Sequence, residues 1–188
     1  ADNFKRNYEN QVVRFVYVGY LFKKKHQLEV IKACKRLFNE GFTAFEMHFI
    51  GDGKDDYKDK LKKEIKESGL SNIYLDGYVE DVFEHLKAMD VGIIASEYEG
   101  FGLVTVEYML SKMPVIGHAG GGTSEIVKDA ETGILYESQD ELVFAMKKLM
   151  EDCELRKRLG TAGYTRASKV FNEENNVDAV LKLYDSLI

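Results

Sequence analysis

The sequence predicts an α/β protein, a three-layer α/β/α sandwich built on a parallel sheet of about six strands. Three observations predict it. Short β-branched or aromatic runs alternate with amphipathic helical patterns from Val12 to Tyr136, and such alternation folds into a parallel sheet covered on both faces. Glycine-bearing turns at 19, 51, 77, 100–102 and 120–122 each lie after a predicted strand. The topology therefore gathers them on one edge, the carboxyl edge where such sheets bind ligands. Finally, 188 residues with 45% hydrophobic content suffice for one domain, read here as 1–188, with a real core.

Residues 1–10 are polar and expected to fray. Val12–Val18 is the first strand, ending at Gly19, and a loop with three lysines follows to His26. Leu28, Ile31, Cys34, Leu37 and Phe38 keep helical spacing, and Gly41 closes that helix. Phe45–Ile50 is the second strand. Asp55–Glu67 is a charged helix with the thin apolar stripe Tyr57, Leu61 and Ile65, and Gly69 is its C-cap. Ile73–Leu75 is a short third strand. Asp81 caps a helix carrying Val82, Leu86 and Met89. Val91–Ala95 and Pro114–His118 are the fourth and fifth strands, with a helix beyond Gly102 between them. A helical turn is expected at Glu125–Val127, a sixth strand at Gly133–Tyr136. Helices follow around Leu142–Leu149, Leu155–Ala162 and Val177–Ile188.

Bulk properties exclude several functions. There are 26 basic and 32 acidic residues, a net charge of -6, and no basic stripe, so nucleic acid is not an expected partner. The cluster Lys23-Lys24-Lys25 is too short to argue otherwise. Cys34 and Cys153 sit at apolar-periodic positions, which reads as core thiols in a reducing, cytoplasmic compartment. No secretory segment or membrane-length apolar run is present. The four histidines are dispersed, without metal-ligand spacing.

The chemistry concentrates in Ser96–Glu107. This stretch turns through Gly100 and Gly102 and opens a helix, with Glu99 before the turn and Glu107 inside the helix. Glycines let backbone N–H groups approach a ligand, and a helix N-terminus favours an anion. Glu107 lies among Leu103, Val104, Val106 and Leu110, so it is expected to be buried and to need a partner. Ligand hydroxyls and a local Ser or Thr serve equally well. Glu99 taken alone reads as a solvated acid near a helix start. Gly120-Gly121-Gly122-Thr123-Ser124 has the look of a phosphate cradle or of a loose connection. Lys25 is either a point charge for a phosphate or a solvated lysine.

Taken together, these pieces resemble a known family. Glu99-Gly-Phe-Gly-Leu-Val-Thr-Val-Glu107 is similar to the Glu-x7-Glu signature of the retaining glycosyltransferases of family 4, the group 1 type. The ordered surroundings agree from about Val12 to Asp152: Gly19 with Lys25 six residues on, Gly51-Asp52-Gly53, Asp76-Gly77-Tyr78-Val79, Pro114-Val115-Ile116 and Glu125-Ile126-Val127. The resemblance implies the C-terminal, Rossmann-like half of a two-domain GT-B fold, with an N-terminal acceptor-binding half outside this chain. It implies a nucleoside-diphosphate sugar as donor substrate, no cofactor and no metal. The amides of Gly102, Leu103 and Val104 would hold the diphosphate, with Gly19, Gly100 and Phe101 completing the pocket. Glu107 would bind the ribose and Glu99 the sugar. Lys25 would offset charge on the leaving group, and Val79 would flank the base. Membrane contact, at an inner face, would fall to the missing half.

Two positions depart from the family pattern. Tyr20 stands where many members carry an arginine against the diphosphate, and Lys112 where many have the glycine that caps the motif helix. A non-glycine left-handed cap costs roughly 1 kcal/mol. Two rival readings are a non-catalytic nucleotide-sugar-binding module and half of another enzyme of the same fold, such as a nucleotide-sugar epimerase.

Overall fold

The computed structural model describes residues 5–171. Among these, six parallel strands form one sheet in the order β3-β2-β1-β4-β5-β6. The strands are β1 (Val13–Val18), β2 (Phe45–Ile50), β3 (Ile73–Gly77), β4 (Val91–Ile94), β5 (Val115–His118) and β6 (Gly133–Tyr136). The order reverses between β1 and β4, which pair through Phe15 with Val91 and Val16 with Gly92. A crevice opens there at the carboxyl edge because the loops leaving the two strands run in opposite directions.

The strands alternate between two cores, as period-2 geometry dictates. Phe15 and Tyr17 of β1 face a core shared with α1 (Gln27–Asn39), α2 (Asp55–Ser68) and α6 (Gln139–Glu151). Val16 faces the other, filled from α3 (Val82–Leu86), α4 (Leu103–Leu110) and α5 (Gly121–Ile126). Helix α7 (Cys153–Val170) serves both: Leu155 and Leu159 pack in the first core and Ala167 in the second. The expected caps form. Gly69 adopts a left-handed conformation after α2, and the Asp81 carboxylate accepts the Glu84 amide at 3.1 Å.

The structure corrects several sequence expectations. Helix α5 begins at Gly121, not near Glu125, because close packing of the glycine run against residues 99–101 overrides its poor helix propensity. Helix α7 continues past Ala162 to Val170, its small Gly163 and Ala167 lying buried beside α4. Cys153 is half-exposed at the start of α7, whereas Cys34 is fully buried, and burial pushes its thiol pKa up. The helix expected over Val177–Ile188 lies outside the described residues.

The largest correction concerns residues 6–10, which are tied down and not frayed, while residues 1–4 of the expected tail lie outside the described residues. Arg6 is only 9% exposed. Its guanidinium donates to the carbonyls of Ser111 and Leu86, each at 2.8 Å, and of Met89. Burial lowers its pKa to about 10. The Tyr8 hydroxyl donates to the Lys112 carbonyl at 2.7 Å, and buried Arg156 donates to the Tyr8 carbonyl. Asn10 donates to the Asp90 carboxylate at 2.7 Å, which also accepts the Arg14 amide at 2.8 Å. Arginine's planar fork suits several carbonyls at once, a pattern that composition does not reveal.

Arg6→Met keeps the apolar stem and strips the donors from three carbonyls at helix ends. We expect it to lower stability by about 2–4 kcal/mol, read as a shift in the urea midpoint at unchanged m-value. A change within about 0.5 kcal/mol would show that the segment is only laid against the domain.

Candidate functional site

The β1–β4 switch point carries a cavity of about 260 Å³. Val18 and Gly19 from β1, Ile94 from β4, Lys25, and the run from Glu99 to Val104 line it. Eight of the ten residues singled out from sequence thus meet in one place. The exceptions are Glu107, one turn deeper in α4, and Val79, which packs half-buried against the second core.

Lys25 and Glu99 face each other across this cavity. Lys25 Nζ lies 2.5 Å from Glu99 Oε1, with side chains 30% and 17% exposed. Glu99 is therefore not the solvated acid expected from its position alone. Local structure holds both backbones. Lys25 closes a 3₁₀ turn, Lys23–Lys25, and its carbonyl accepts the Tyr17 hydroxyl at 2.8 Å. The Glu99 carbonyl accepts the Gly122 amide at 2.9 Å.

The glycine turn ends at Gly102, whose φ of 75° and ψ of 50° form a left-handed N-cap that disfavours any residue with a Cβ. Thr105 is the first residue to donate into the helix, to the Gly102 carbonyl at 2.9 Å. The amides of Leu103 and Val104 precede it and have no carbonyl to reach within α4. They point the positive end of the helix into the cavity. Phe101 is exposed beside Phe171, ring centroids 5.8 Å apart.

Glu107 is half-buried, less covered than its neighbours predict. Helix α4 lies over β4 and β5 and buries Val106, Tyr108 and Met109, while Glu107 stays only half-covered. No local Ser or Thr takes its carboxylate, and among the described residues no hydrogen bond or ion pair reaches it. Desolvation raises its pKa above the ordinary 4.5.

The stretch Gly120–Gly122 is neither a cradle nor a loose connection. A Cβ on Gly122 would lie 2.1 Å from the Gly100 carbonyl oxygen, so this backbone forms the floor beneath the glycine turn. Tyr20 is exposed, Lys23 and Lys24 point to solvent, and the Tyr20 carbonyl accepts the Gln27 amide at 3.0 Å. Lys112 does adopt the left-handed cap, at φ 56°, and its ammonium sits 5.0 Å from the Tyr164 ring centroid. His118 lies outside the cavity, edge-on to Tyr136. No three His, Cys, Asp or Glu side chains gather to hold a metal among the described residues.

Sequence reasoning missed two positioning residues. The Tyr17 hydroxyl, besides holding Lys25, lies 3.2 Å from Ser96 Oγ. The Tyr108 hydroxyl accepts the Val18 amide at 2.7 Å and so joins α4 to the end of β1. The available signal was a tyrosine inside an otherwise aliphatic buried element, since a buried phenol needs a partner.

The site thus sets a cationic side chain, a glycine turn and an acid at the switch point of a Rossmann-like sheet, with a second acid one turn deeper in α4. Comparison with known proteins makes this specific. Residues 2–166 match the family model described as glycosyl transferases group 1. The chain belongs to that family. It is 37% identical over 176 residues to an uncharacterized glycosyltransferase, MJ1178, of Methanocaldococcus jannaschii, spanning 92% of this chain and 48% of that protein. It is 29% identical over 172 residues to the lipopolysaccharide core biosynthesis glycosyltransferase LpsE of Rhizobium meliloti, spanning 90% and 48%. The chain therefore spans about half the length of the curated relatives it matches. Anabaena HepE, solved in complex with UDP and glucose, superposes with a TM-score of 0.85 at 23% identity, over 94% of this chain and 49% of that one. A C-terminal domain of a group 1 glycosyltransferase (LpcC) of Francisella tularensis superposes with 0.78 at 25% identity, over 90% and 96%.

The raised Glu107 pKa has a stability consequence. Ionisation is disfavoured in the folded chain, so the contribution is fully present below the ordinary value of 4.5 and is lost as pH rises through the raised one. Glu107→Gln removes this dependence. Its melting temperature is expected to gain on the parent's between about pH 4 and pH 7. A constant difference across that range would place the carboxylate in full solvent.

Proposed function

We propose that this chain is the donor-binding half of a retaining glycosyltransferase that moves a sugar from a nucleoside-diphosphate sugar to an acceptor. The observation that carries the reading is the convergence of Lys25, Glu99 and the Gly102 turn in one cavity at the switch point. The UDP and UDP-glucose complexes of the structurally similar HepE support it.

In this reading the Leu103 and Val104 amides and the Lys25 ammonium receive the diphosphate. Breaking the bond between the anomeric carbon and the phosphate oxygen leaves negative charge on the departing nucleotide. Fixed amides, a helix N-terminus and a lysine stabilise that charge most where it is greatest, in the transition state. Glu107, one turn further along α4, accepts hydrogen bonds from the ribose hydroxyls. Glu99 faces the sugar, and Val79 lies toward the base. No metal or cofactor is needed for this division of labour.

A second half presents the acceptor, since this chain matches about half of its relatives' length. The carboxyl edge suits such a neighbour. Tyr78 and Tyr98 are 76% and 86% exposed there, and Tyr20, Phe22, Phe101 and Leu103 are exposed as well. So many exposed apolar side chains on the loops of one edge fit a covered surface better than a bare one.

Titration calorimetry of the chain with UDP, GDP and ADP and their glucose or mannose conjugates tests the reading. One nucleotide series is expected to bind, and Glu107→Ala to weaken it by roughly 10- to 100-fold, the loss of hydrogen bonds to a charged acceptor. Binding of none at millimolar concentration would refute the proposal.

A further inference from the structure

We infer that the Lys25–Glu99 pair is a gate that makes the site discriminate against free nucleoside diphosphate, the product, in favour of the sugar-bearing donor. The inference rests on the donor-binding reading above and adds a second task to Glu99.

Among the described residues lining the cavity, Lys25 is the one cation and Glu99 the one anion. At 2.5 Å they neutralise each other. The backbones on either side are fixed. The Lys25 amide donates to the Phe22 carbonyl at 2.8 Å, and its own carbonyl is held by Tyr17. The Glu99 carbonyl is held by Gly122, whose neighbour Gly121 also packs against the Glu99 backbone. Only the two side chains are free to exchange partners.

A diphosphate entering beside Lys25 must take the ammonium away from Glu99. A carboxylate only 17% exposed is then left next to phosphate oxygens without a counter-charge. Like charges and partial desolvation both oppose that state. A sugar on the diphosphate changes the outcome, because its hydroxyls donate to the released carboxylate and satisfy it. Glu99 thus costs the product affinity that it returns to the donor. The pair works by competition for one ammonium, and both groups have partners when paired with each other or with the donor, but not when the product is bound.

The gate makes an uncommon prediction for an acid at a binding site: removing its charge should tighten binding of the product. Calorimetric affinities for UDP, GDP and ADP and their sugar conjugates would be compared among the parent chain, Glu99→Gln and Glu97→Gln. Glu97 is exposed two residues away and outside the cavity, so its substitution controls for a general loss of negative charge. Glu99→Gln is expected to bind the nucleoside diphosphate roughly tenfold tighter than the parent, and to lose most of the preference for the sugar-bearing form. Glu97→Gln is expected to stay within about twofold. The gate is overturned if Glu99→Gln binds nucleoside diphosphate no tighter than the parent, or if Glu97→Gln gains as much. If the parent binds a sugar conjugate but no free diphosphate, and Glu99→Gln binds both, the gate stands in its strongest form. If the parent binds neither form, the donor-binding reading fails whatever the variant does, and takes the gate with it.

Discussion

The rim of this sheet is built by backbone lying directly on backbone. The Gly122 amide donates to the Glu99 carbonyl, and the Gly122 α-carbon sits so close to the Gly100 carbonyl that no side chain fits between them. This contact sets the height of the 99–102 turn above β5. The turn in turn sets where α4 begins, where its first amides point, and where the Glu99 side chain emerges. A methyl group at position 122 would lift the turn and move all three together. Binding geometry here depends on a position that offers a ligand no functional group.

Buried hydroxyls supply the second level of control. Tyr17 reaches from the end of β1 to the Lys25 carbonyl, and Tyr108 reaches from α4 back to the Val18 amide. Burial raises the phenol pKa of both, so each remains a neutral hydrogen-bonding group at working pH. Through them the cationic loop and the helix are both referenced to the same two residues of β1. A rigid strand thereby fixes the separation of a cation and an anion site that lie on different loops. Side chains beside the ligand are then free to exchange partners without disturbing the scaffold.

Much of this was legible in the sequence. All six strands were placed to within a few residues, because β-branched runs ending at glycine are local signals. The gathering of the turns at Gly19 and Gly100–Gly102 followed from topology alone, since parallel strands put every such loop on one edge, whereas Lys25 and Glu99 joined them only through the family resemblance. What stayed hidden depended on three-dimensional contact. The Lys25–Glu99 pair joins residues 74 apart in sequence, and nothing local distinguishes either from a solvated charge. Burial of Glu107 was overstated because an apolar helix packed on one face of a sheet still turns one side away from it. Arg6 looked like part of a polar tail, since a single arginine serving three carbonyls leaves no periodic mark.

Arg6 completes the account of α4. The amino end of this helix faces the cavity with unpaired amides, so it carries partial positive charge. At the carboxyl end, Ser111 and Lys112 turn the chain, and their carbonyls accept from Arg6 and Tyr8. The same guanidinium takes Leu86 and Met89 at the end of α3. A buried cation at the negative ends of two helices stabilises both dipoles and satisfies carbonyls that solvent does not reach. The helix is therefore anchored at its far end by a segment that precedes β1, while its near end faces the cavity. On the proposed reading, strain that a donor puts on the first turn is resisted along the axis by that anchor, which keeps α4 a fixed electrostatic element and leaves the response to the side chains of Lys25 and Glu99.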